Sequence, residues 1–104
     1  MKVKFGDTSE LVCPSCGNEF LHQHAVSVFF RDTEDSKTGK FTRCSSQKVE
    51  TIGGAENPSP RRDGLLLQFF CETCNADPEL AIYQHKGSTY VEWHTMRMPV
   101  KGEM

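Results

Sequence analysis

The chain has no long apolar run. Its longest stretch, Leu65-Leu66-Leu67, is broken by Gln68 before Phe69-Phe70-Cys71, far short of the ~20 apolar residues that cross a bilayer. The first ten residues, MKVKFGDTSE, lack the apolar segment of a secretory signal. These two absences set the expectation of a cytoplasmic, reducing setting with no membrane partner. An excess of one charge is lacking too: 12 basic and 14 acidic side chains leave a formal charge of −2. No stretch shows convincing helical amphipathicity, although 76–82 has room for one short helical turn, and no Ser, Asp or Glu stands with a histidine in a recognisable nucleophile motif. Catalysis is therefore not expected. At 104 residues the chain is one domain with a modest core.

What is present is cysteine in a pattern. The five are Cys13, Cys16, Cys44, Cys71 and Cys74. An odd number cannot all pair as disulfides. Four form two CxxC units, CPSCG and CETCN. Each unit sets two sulfurs on one edge of a tetrahedron, and zinc takes four tetrahedral ligands, thiolates among them. Cys13, Cys16, Cys71 and Cys74 thus make a closed four-thiolate set for one structural Zn²⁺, with no coordination position left for water or substrate. Gly17 and Asn75 follow the two units, and both residue types accept the left-handed backbone that such a turn demands.

Two other readings of the pairs were weighed. Redox CxxC motifs occur singly at helix N-termini, and neither pair here precedes a helix. His22 and His24 could join Cys13 and Cys16, but that set leaves Cys71 and Cys74 idle. Cys44 is expected to be a free thiol.

Strand patterning surrounds the cysteines. HAVSVFFRD alternates Val26, Val28 and Phe30 against Ala25, Ser27 and Phe29, which predicts a strand near 22–31. Weak strands are expected at 41–45 and 47–52, and LLLQFF at 65–70 reads as a buried strand. ELAIYQH and STYVEWH flank Lys86-Gly87 as a hairpin. Residues 1–12 read as a lead-in strand and loop, and GGAENPSPRRDG at 53–64 as a loop.

The unusual feature is distance: 54 residues lie between Cys16 and Cys71, against a usual ~15–20. A long polar insertion at about 32–64 accounts for it. CPSCG leading into a strand, with a later CxxC leading into a hairpin, resembles the zinc-ribbon family. The layout with its insertion is similar to small uncharacterised zinc-ribbon proteins of phages and bacterial mobile elements. The resemblance implies a β-rich small domain of antiparallel hairpins joined by two CxxC knuckles over 1–95, followed by a frayed tail at 96–104, and it implies the metal role of the four cysteines. It fixes no activity, because the ribbon is a widely reused scaffold; an inhibitor of host machinery is one version it suggests.

Two partners follow from the rest of the sequence. Adjacent aromatics, Phe29-Phe30 and Phe69-Phe70, point to opposite faces of a strand. One small sheet cannot bury both faces, so either the insertion or a partner covers the second. The partner would be another protein or a second copy in a homodimer, which makes the chain an accessory or regulatory protein-interaction module. The alternative is nucleic acid. Residues 36–62 carry six basic and two acidic side chains, and Arg43, Lys48, Arg61 and Arg62 would make the contacts. Only Phe41 lies among them as a stacking aromatic, and the charge elsewhere is negative, so this reading ranks second.

Overall fold

The computed structural model describes residues 3–97. Its strands are β1 (Leu21–Arg31), β2 (Gly39–Ser45), β3 (Val49–Thr51), β4 (Gly64–Cys71), β5 (Asp77–His85) and β6 (Ser88–Arg97), with a short 3-10 turn at Gly54–Glu56. All six lie in one antiparallel sheet in the order β3-β2-β1-β4-β5-β6. This is a small β-rich domain of zinc-ribbon-like form.

The two weak strands expected at 41–45 and 47–52 are present within the insertion as β2 and β3, which extend the sheet beyond β1. One expectation needed correction. The helical turn allowed at 76–82 is the start of β5, whose alternation of buried and half-exposed residues continues through it. The β5–β6 hairpin closes on Lys86 and Gly87, both at positive φ (50° and 82°), the backbone that a tight two-residue hairpin turn requires. Of the tail at 96–104, Met96 and Arg97 belong to β6; 98–104 lies outside the described residues.

The two faces of the sheet differ. On one, Phe29, Phe41, Leu66 and Ala81 are buried together, with Ile52 and Tyr83 against them. The segment 52–63 covers this face. A side chain at Gly64 would collide with Asn57 and Pro58, so the glycine lets the loop lie directly on β4. Ser59 Oγ donates to the Gln84 carbonyl at 2.7 Å. The Arg31 guanidinium donates to the carbonyls of Arg62, Ser36 and Ser59, tying the turn after β1 to the covering loop. The opposite face is covered only at one end. There Val3 and Leu11 pack against Phe69, Leu80 and Trp93.

Candidate metal centre

β1 leaves the first knuckle and β4 runs into the second. Their antiparallel register sets Leu21 opposite Cys71, and the Glu72 amide donates to the Phe20 carbonyl at 3.1 Å. Strand pairing alone therefore brings together two motifs far apart in sequence, and the insertion occupies the other end of the same strands.

The two knuckles have the same backbone plan. The Gly17 amide donates to the Cys13 carbonyl at 2.8 Å, and the Asn75 amide to the Cys71 carbonyl at 2.9 Å. The Cys13 amide in turn donates to Asn18, and the Cys71 amide to Ala76. Gly17 and Asn75 sit at φ 77° and 62°, the left-handed positions expected of them.

The four sulfurs lie within 4.8 Å of one another. Cys13 Sγ is 3.7 Å from Cys74 Sγ, and Cys16 Sγ is 3.6 Å from Cys71 Sγ. A tetrahedral zinc with Zn–S bonds of ~2.3 Å sets its sulfurs about 3.8 Å apart, so the cluster has the dimensions of a zinc–thiolate site. All five cysteines are free thiols. Cys13 and Cys71 are buried, Cys74 is half-buried and Cys16 is exposed.

The electrostatics are uneven. Burial pushes the Cys13 thiol up to about 12, against the opposing pull of the Cys16 and Ser15 amides. Burial also raises Cys71, but the amides of Cys74 and Thr73 outweigh it and bring this thiol down to about 7. At Cys16 the Asn18 amide lowers the pKa, yet desolvation with the neighbouring Cys71 and Cys74 leaves it raised. Amides aimed at sulfur stabilise a thiolate, which is the form that binds metal.

Neither His22 nor His24 belongs to the cluster among the described residues. His22 Nε2 lies 2.5 Å from the Glu72 carboxylate. Cys44 is exposed and opposes Val26 on β1 and Val49 on β3, away from the knuckles.

Each of the four basic residues considered for nucleic acid faces a carboxylate. Arg61 forms a two-pronged pair with Asp35 (2.7 and 3.0 Å) and reaches Glu34 at 2.7 Å. Arg62 meets Glu34 at 3.1 Å, Lys48 meets Glu50 at 2.8 Å, and Arg43 stands 3.9 Å from Glu56. Arg43 Nε also donates to the buried Ser27 hydroxyl.

Two features escaped the sequence reading. Gln68, buried on the loop-covered face, donates to Ser27 and to Glu79, while its Oε1 has no hydrogen-bond partner. It lines a concavity of about 410 Å³ together with His24, Arg43, Lys48 and Glu79; the only sequence signal was a glutamine interrupting LLLQFF. The second feature is the extent of the uncovered face. Across the paired strands run Val49, Cys44, Val26, Val28, Leu65, Ile82 and Val91, with Thr42 and Thr51 on the same face and Phe30 at one end; Phe30, Cys44, Val49, Thr51 and Val91 are exposed and the others half-buried.

No known protein family, curated protein or solved structure matches this chain. Among the described residues, no helix is long and apolar enough to cross a membrane.

Proposed function

We propose that this chain is a non-catalytic protein-interaction module, stapled at one end by a single structural Zn²⁺ on Cys13, Cys16, Cys71 and Cys74. The carrying observation is the largely apolar sheet face, with Thr42 and Thr51 among its members, that has no cover away from the zinc end. Phe30 is 54% exposed, Val49 68% and Val91 47%. Six strands spaced ~4.8 Å make this face roughly 25 Å wide, the scale at which an exposed apolar patch marks an interaction site.

Two arguments support the non-catalytic reading. Four thiolates fill a tetrahedral zinc, so the metal has no place for substrate. The metal's contribution is instead to folding: bound zinc joins the N-terminal segment to the second knuckle. The nucleic-acid reading has less support, since the cations it needs are engaged by Asp35, Glu34, Glu50 and Glu56. A zinc–tetrathiolate adds −2 to a chain already at −2.

The test is affinity capture with wild-type and Val91→Lys chains from cells that carry the protein. Val91 lies on an exposed edge strand, so a lysine there leaves the fold intact and puts a charge on the docking face. Capture lost with Val91→Lys supports the reading, and equal capture by both chains refutes it.

A further inference from the structure

We infer that the open apolar face is the interface of a homodimer, covered by the same face of a second copy. This rests on the reading of that face as a docking surface and names its occupant.

Charge is the first argument. Two charged side chains stand at the margin of the face: Lys40, opposite Phe30, and Asp63, which lines the hollow beside Phe30 and whose carboxylate already accepts the Arg31 amide at 2.8 Å. The remaining surface of the chain is rich in both signs. A partner that fits the face must therefore offer a flat, apolar surface with almost no charge to desolvate, since burying unpaired charge is costly. The chain itself presents such a surface, and two copies can meet there with neither leaving a buried ion.

Shape is the second. Phe30, 54% exposed, projects as one wall of a hollow of about 300 Å³ whose other walls include Asp63, Leu65, Ile82 and Gln84. A face that carries both a projecting ring and a hollow is self-complementary. In a two-fold interface the ring of each copy can enter the hollow of the other, the reciprocal contact that a closed dimer demands.

The N-terminal cover is the third. It lies on the zinc end of the face, where Val3 and Leu11 meet Leu80 and Trp93. Two sheets pack ~10 Å apart, a gap with no room for two covering segments at the same end. A two-fold axis running across the strands separates the zinc ends and brings the open halves together. The geometry therefore points to an antiparallel sandwich with the two zinc centres at opposite poles.

The experiment is native mass spectrometry with sedimentation of the full zinc-loaded chain, from low micromolar concentration upward. A concentration-dependent dimer is expected. Val91→Lys and Phe30→Ala should each weaken it at least tenfold, with zinc content and circular dichroism unchanged. Alkylating the exposed Cys44 with a bulky maleimide, while zinc occupies the other four thiols, should do the same without any substitution. A chain that stays monomeric at every concentration overturns the inference, as does a dimer indifferent to all three changes. The two readings separate cleanly. A monomer whose protein capture is lost in Val91→Lys overturns the second copy and keeps the docking face. A monomer whose capture is unaffected overturns both.

Discussion

Removing zinc should release the N-terminal segment while leaving the loop-covered core in place. Residues 3–20 are joined to the sheet mainly through the Cys13–Cys16 knuckle and the packing of Val3 and Leu11. Both side chains are only half-buried, so together they supply about 2–3 kcal/mol. A handful of backbone hydrogen bonds adds ~1 kcal/mol each. Ordering this segment costs backbone and side-chain entropy that so few contacts do not offset alone. Without the metal linking Cys13 to Cys74 and Cys16 to Cys71, the balance favours release. The Phe29, Phe41, Leu66 and Ala81 core lies on the other face and owes nothing to the knuckles. Trp93 reports the event: it is the only tryptophan, it is 4% exposed, and it lies under the departing segment. Chelation should move its emission to the red and zinc should restore it, with strand circular dichroism largely retained. Unchanged emission after complete zinc removal, verified by metal analysis, would refute the claim that the metal holds the cover. Loss of all strand signal would refute the claim that the loop-side core stands alone.

Zinc binding should release at least two protons near neutral pH. In the metal-free chain Cys13 and Cys16 are thiols at neutral pH in either state: closed against the second knuckle both are raised, Cys13 to about 12, and released they have the ordinary thiol value. Cys71, held at about 7 largely by the amides of its own knuckle, is already partly thiolate. Affinity should fall steadily as pH drops below 7, where the proton also occupies Cys71; calorimetry in buffers of differing ionisation enthalpy counts the protons, and release of fewer than one contradicts these assignments. In the metal-free chain the depressed Cys71 contributes stability above its ordinary pKa of 9.0 and loses it as pH falls through about 7, so urea midpoints should decline over that window. Phe29→Ala should cost about 3–5 kcal/mol in urea unfolding, because Phe29 is fully buried against Phe41, while Phe30→Ala on a monomer should cost under about 1 kcal/mol; similar losses at both positions would mean the faces are misassigned. Arg61→Ala and Arg62→Ala should leave any weak nucleic-acid affinity unchanged, and a loss of binding with a steep salt dependence would restore the phosphate-contact reading.

How much of this was legible follows from which forces act locally. The knuckles were legible to the residue, because a CxxC turn is decided within five residues: Gly17 and Asn75 take the backbone their identities allow. The β5–β6 hairpin was legible for the same reason. β1 and β4 announced themselves through alternation and β-branched content. Within the insertion the two weak strands were legible at 41–45 and 47–52, but their bounds were not. β2 and β3 end where pairing with a neighbour ends, Val26↔Cys44 and Arg43↔Glu50 among the matches. That pairing is non-local and leaves little trace in the segment itself. In the basic middle third, too, the partners are non-local. Arg61 and Arg62 are neighbours in sequence to prolines and glycines, but neighbours in space to Glu34 and Asp35 across the turn that follows β1. Charge counted along a chain says nothing about which charges the fold brings together.

The metal site and the open face are one arrangement rather than two. Antiparallel pairing of β1 with β4 places both knuckles at one end of the sheet, and the first knuckle carries the segment that lies over that end. On the proposed reading, a zinc held by the four cysteines would set how much of the apolar face is covered. With the knuckle closed, Leu80 and Trp93 are sheltered while Val28, Leu65, Ile82 and Val91 stay open. With it open, the apolar row would extend to the pole of the domain, and the chain would present a longer, stickier surface with no defined end. A structural metal so placed would decide the boundary of the proposed docking face from a distance, and a bounded face is what separates specific pairing from aggregation.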